Sequence, residues 1–141
     1  MARVGLYSRL GITPFGELLA EQQDLQAFIR DAIRSVWALE LLLIMKREPE
    51  RLWTPEDLVR ELRASGPLVA DNLAIFESIG LVLPQDSAYR YAPASAVLAD
   101  LCDRLESLYR QKPVSVINAI AGSARDRLQT LADAFKLRGD Q

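Results

Sequence analysis

Apolar residues recur at spacings of three and four along most of the chain. That is the period of helices lying with one face on a core, and one short run of alternating residues interrupts it. Between residues 24 and 46, Leu25, Phe28, Ile29, Ala32, Ile33, Val36 and Trp37 make one such stripe. The run VWALELLLIM is then apolar nearly all round, which predicts an enclosed helix rather than a surface one. Pro49 ends it, because the residue before a proline is pushed out of the helical region. Residues 1–20 have no such period. Gly5, Gly11, Pro14 and Gly16 interrupt Leu6, Tyr7, Leu10, Ile12 and Phe15, which predicts an N-terminal arm over 1–23 with at most a short turn at 15–19.

Residues 52–93 organise the rest. Thr54 is a good N-cap, Pro55 suits the first helical position, and Glu56 and Asp57 sit at the positive end of the dipole. Leu58, Val59 and Leu62 face inward, and the helix stops near 64–66. Pro67 starts a second helix capped by Ser65 or Gly66, with Leu68 or Val69, Leu73, Phe76 and Ile79 as its inward stripe. Gly80 is the left-handed C-terminal cap. A strand at 81–83, a turn at 84–87 and a return strand at 88–92 follow. Ser95 opens a helix to about residue 111, whose apolar set (Val97, Leu98, Leu101, Cys102, Leu105, Leu108, Tyr109) forms a heptad-like seam. Pro113 breaks it. A short helix over 114–120, a turn at 121–123 and a last helix started by a Ser123/Asp126 capping box complete the prediction. That helix is expected to bury Leu128, Leu131, Ala132 and Phe135. The expected class is mainly α with a small β-hairpin wing, a winged helix-turn-helix core over 24–95 and a C-terminal helical extension over 96–141. The extension packs on the core or forms a dimer seam.

Composition narrows the function. A chain of 141 residues suits one domain, and 50% apolar content is at the upper end for a soluble protein, which leaves room for a buried oligomer surface. Seventeen basic against nineteen acidic residues give a net charge of −2, with no clustered base to mark a phosphate footprint. The absence of histidine removes the commonest general base and metal ligand. Cys102 is the only cysteine, so an internal disulfide and a thiolate zinc site are excluded; it reads as structural. With no nucleophile–base pair, phosphate loop or ligand cluster, neither enzymatic activity nor a cofactor is expected. No apolar run approaches the ~20 residues of a membrane span, and a cytoplasmic protein is expected.

Residues 28–95 resemble the winged-helix domains of bacterial transcriptional regulators of the MarR and PadR kind, most specifically in FESIGLV followed by the YRYAP strand. Residues 34–138 are also similar to small alphaproteobacterial proteins that join this domain to a helical C-terminal part. In the regulators the second helix of the motif enters the major groove and the wing reaches a neighbouring phosphate or minor groove. The resemblance therefore implies a reading face with Ala70, Asp71, Ala74, Ile75 and Ser78 outward. Readers place donors there, because base edges and phosphates call for them. Between Gly66 and Val97 one base, Arg90, stands against Asp71, Glu77 and Asp86. Asn72 and Ser78 could hydrogen-bond, and Arg60, Arg63 and Arg90 could touch the phosphate backbone, unless the first two simply pair with Glu56 and Glu61. Ile75 either joins Leu68 and Ala74 in an apolar patch for a protein partner or packs beneath the hairpin. The candidate DNA or partner surface is thus Arg60, Arg63, Leu68, Asp71, Asn72, Ala74, Ile75, Ser78 and Arg90. Two functions remain: a transcriptional-regulator-like protein contacting DNA through an unusually acidic helix, or a winged-helix protein–protein interaction module that has lost DNA reading. A homodimer is expected through the helix at 37–45 and the seam at 97–109.

Overall fold

The computed structural model describes residues 14–139; most of the expected arm, residues 1–13, lies outside them. Six helices and one hairpin follow in order: α1 (Pro14–Ala32), α2 (Val36–Arg47), α3 (Pro55–Leu62), α4 (Gly66–Ile79), β1 (Val82–Gln85), β2 (Ala88–Tyr91), α5 (Ala96–Gln111) and α6 (Pro113–Gly139). Mostly helical with a small antiparallel sheet, the arrangement is compatible with a winged helix.

The expected single helix over 24–46 is two helices, and the first starts ten residues early, at Pro14, inside the expected arm. Ser35 makes the break. Its backbone is extended (φ −158°, ψ 168°) and its hydroxyl accepts a hydrogen bond from the Ala38 amide at 3.1 Å. Serine competes for the backbone in this way and favours caps over helix interiors. The break lets two apolar faces turn onto one core: Phe28, Ile29 and Ala32 from α1 with Ile33 just after it, and Ala38, Leu39, Leu41, Leu42, Leu43 and Met45 from α2. Enclosure of α2 is as its composition predicts, except that Trp37 is 48% exposed and outside the core.

The caps of α3 and α4 form where expected. Thr54 Oγ1 accepts from the Asp57 amide and the Asp57 carboxylate accepts from the Thr54 amide, each at 3.1 Å. Ser65 caps α4, and Gly80 ends it at φ 95°. The inward face of α4 is Val69, Leu73 and Phe76, while Ile79 is half-buried. The hairpin pairs Val82 with Tyr91 through Gln85 with Ala88. Its turn is therefore only Asp86–Ser87, both at positive φ (51° and 65°), the two-residue geometry that matches strand twist. Pro84 belongs to β1 rather than to the turn. It is tolerated because β1 is the outer strand. The other edge of β2 holds a third, one-residue strand: Trp53 and Tyr89 exchange two backbone hydrogen bonds at 2.8 Å.

Ser95 caps α5 as expected. The short helix, turn and capping box expected over 114–126 are instead the interior of one 27-residue helix, α6. A glycine inside a helix costs only ~1 kcal/mol. Docking of α6 on α1 and α5 offsets that, with Val116 and Ile120 buried. Arg127 adds two bonds, donating to the carbonyls of Arg30 (3.0 Å) and Arg34 (3.4 Å) at the end of α1. Leu128, Leu131, Ala132 and Phe135, expected to be buried, are exposed. Leu101, Cys102, Leu105, Val116 and Ile120 join α1–α4 and the hairpin in a single core. Lys46 of α2 bridges to α5 through Asp103 (2.9 Å) and Glu106 (2.8 Å), and the Tyr109 hydroxyl donates to Glu40 at 2.9 Å. Among the described residues no helix is long and apolar enough to cross a membrane.

Candidate functional site

Capping at Ser65 and Gly80 fixes the rotation of α4, and that rotation decides which side chains reach solvent. Pro67, Ala70, Asp71, Ala74, Glu77 and Ser78 form the exposed face, with Leu68 and Ile75 half-buried at its border. Asn72, expected on this surface, is instead 5% exposed, and its amide donates to the Leu68 carbonyl at 2.9 Å. It lies between Val69 and Phe76 on the buried side, where a polar group must find a partner, and it finds one within its own helix. The Ser78 hydroxyl likewise donates to the Ile75 carbonyl at 2.8 Å. The exposed face of α4 is left with two carboxylates as acceptors and no unused side-chain donor. Ile75 is packed against the core cluster, so the apolar patch is narrower than Leu68, Ala74 and Ile75 together would make it.

The three arginines are distributed around this face rather than gathered on it. Arg60 is an exposed side chain on α3 that pairs with Asp57 at 2.7 Å, not with Glu56 or Glu61. Hydrogen bonds from Thr54 hold the Asp57 carboxyl below its ordinary range, with Arg60 adding to the effect. Arg63 is exposed and ends α3 in the left-handed conformation (φ 54°). Arg90 is half-buried on β2, opposite Leu83 in the register. The hairpin tip adds Gln85, Asp86 and Ser87, all exposed. Leu83 is 48% exposed beside them. Sequence reasoning missed this apolar residue, although the period of two, with Val82 inward, carried the signal.

Other chemistry is sparse. Among the described residues no cluster of three potential ligands could hold a metal ion. Burial pushes the Cys102 thiol up, with the neighbouring Tyr91 hydroxyl acting in the opposite direction, which is the environment of an inert thiol. Burial also raises the Tyr91 hydroxyl, which has Cys102 near it but not in hydrogen-bonding geometry. A groove of about 490 Å³ runs between the end of α1 and α6, lined by Arg30, Ser123, Asp126, Arg127, Thr130, Leu131 and Ala134. Its polar groups do not converge on a point, and none of its lining belongs to α4 or the hairpin. No protein-family model, curated protein or solved structure matches the chain.

Proposed function

We propose that the chain is a winged-helix module that works by binding protein rather than by reading DNA. One observation supports this above the rest: the exposed face of α4 presents Asp71 and Glu77, while the donors of Asn72 and Ser78 are engaged within the helix. Phosphate contacts provide most non-specific affinity for DNA, and a face of carboxylates opposes them. The small residues Ala70 and Ala74, bordered by Leu68 and Ile75, suit a partner that approaches the helix closely.

A second reading, a DNA-contacting transcriptional regulator, draws support from the order of helix, helix and hairpin and from the one-residue third strand at Trp53. Contacts would then come from Arg60 and Arg63 on α3 and Arg90 on β2. Titration of labelled duplex DNA with the full chain at about 50 and 200 mM salt separates the two. The interaction reading expects nothing tighter than the ~10⁻⁴–10⁻⁶ M of non-specific binding. Nanomolar binding that falls steeply with salt, and weakens in Arg60→Glu/Arg63→Glu, establishes the regulator instead.

A further inference from the structure

Among the described residues the longest unpartnered apolar surface lies on α6, not on α4. Val114, Ile117, Ala121, Ala124, Leu128, Leu131 and Phe135 follow one another at alternating spacings of three and four. That repeat holds one seam of a helix against a partner helix. A different face of α6, with Val116, Ile120 and Arg127, docks on the chain's own α1 and α5. Among the described residues the seam therefore stays open. Its large members are 67% (Val114), 38% (Ile117), 66% (Leu128), 54% (Leu131) and 62% (Phe135) exposed.

We infer that this seam joins two copies of the chain, with their α6 helices paired antiparallel. The distribution of sizes points to a second copy. The middle of the seam is small on one side of residue 126, with Ala121 and Ala124, and large on the other, with Leu128 and Leu131, while Ile117 and Phe135 flank these four at equal distances from it. An antiparallel pair centred near residue 126 sets Leu128 of each copy on Ala124 of the other, and Leu131 on Ala121. Large then meets small in the two central layers on each side of the axis, Phe135 of each copy closes on Ile117 of the other beyond them, and one patch serves both copies, as a two-fold interface requires. A parallel pair would set alanine on alanine and leave those layers hollow. The exposure of α6 points the same way. Residues 128–136 are exposed on every side in one copy, and a helical stretch without packing is marginal in water. In the pair, that half lies along the partner's braced half.

The area sets the strength. Five side chains exposed by a third to two-thirds leave roughly 300–400 Å² of apolar surface per copy. This is about half of the ~800 Å² per partner in a standard interface, so the pair is weak and forms reversibly at micromolar concentrations or above.

Sedimentation equilibrium of the full chain from about 1 to 200 µM tests the inference, with a monomer–dimer equilibrium expected. Leu128→Asp/Leu131→Asp weakens it at least a hundredfold and leaves the Tm of the dilute protein unchanged, since both side chains are more than half exposed. A strict monomer over the whole range overturns the inference; the seam then belongs to residues 1–13 or to another protein. Orientation is read by oxidising Ala124→Cys and Leu128→Cys proteins, alone and mixed. Antiparallel pairing cross-links chiefly the mixture, whereas efficient linking of each variant to itself shows a parallel pair and overturns the arrangement.

Discussion

Gly80 stands at φ 95°, and a Cβ added there would meet the Ala94 Cβ at 3.1 Å. An L-residue in the left-handed region costs about 1–2 kcal/mol, and the close approach adds to it. Gly80→Ala is therefore expected to destabilise the fold by about 2 kcal/mol in urea denaturation, and an unchanged midpoint would refute this account of the turn. Caps such as Thr54, Ser65, Ser95 and Gly80 were legible in the sequence because their chemistry is local: a hydroxyl answers an amide three residues on at the first three, and at Gly80 the missing Cβ admits the left-handed turn. Asn72 was not legible. Its residue type favours solvent, and only the packing of Val69, Leu73 and Phe76 around it settled that its amide turns back to Leu68. The candidate site lost a donor through that one contact.

At the scale of elements, the misreadings concern where helices stop. Ser35 and Ser123 look equally capable of capping. Ser35 caps because the chain must turn there to bring α1 and α2 onto one core. Ser123 is absorbed into α6, which continues along α1 past that point. Gly122 is the residue that made a turn look natural, yet a Cβ added there would meet nothing nearer than Arg125 Nη2 at 3.9 Å. Gly122→Ala is expected to stabilise the protein by about 0.5–1 kcal/mol through the smaller entropy of its unfolded chain. A loss of stability in thermal melts would show that α6 needs a bend at this position. The continuity of α6 also has a consequence for assembly. The expected dimer surfaces at 37–45 and 97–109 are largely consumed by the chain's own core, with Leu39, Leu41, Leu42, Leu43, Leu101, Cys102 and Leu105 all buried. Exposed apolar residues accumulate on the helix that was expected to hide them.

For the whole molecule, the elements are tied by a few polar links across the core, and these govern its response to pH. Lys46 titrates above its ordinary range: burial opposes the shift, but the hydrogen bonds and charges of Glu106 and Asp103 outweigh it. Tyr109 is raised by its bond to Glu40, and Tyr91 and Cys102 are raised by burial. Each of the four holds its proton more tightly folded than unfolded. Each therefore contributes stability that is present below its unfolded pKa and lost as pH rises through the folded one. Asp57 is the opposite case, and its contribution is lost as the solution is acidified below the carboxylate range. With no histidine in the chain, Tm is expected to be level between about pH 5 and 8 and to fall progressively above roughly pH 8.5–10. A slope centred between pH 6 and 7 would contradict it.

The sequence by itself determined the succession of helices and hairpin, the caps that begin them, the left-handed exit at Gly80 and the acidic balance of the fourth helix and hairpin. These follow from contacts within a few residues or from charge alone. Tertiary structure decided the rest: the break at Ser35, the unbroken α6, the inward turn of Asn72, the pairing of Trp53 with Tyr89 and the exposed apolar face of α6. Those outcomes depend on which surfaces meet across long stretches of chain. A residue's own type and spacing state that it has an apolar face, but not what will cover it.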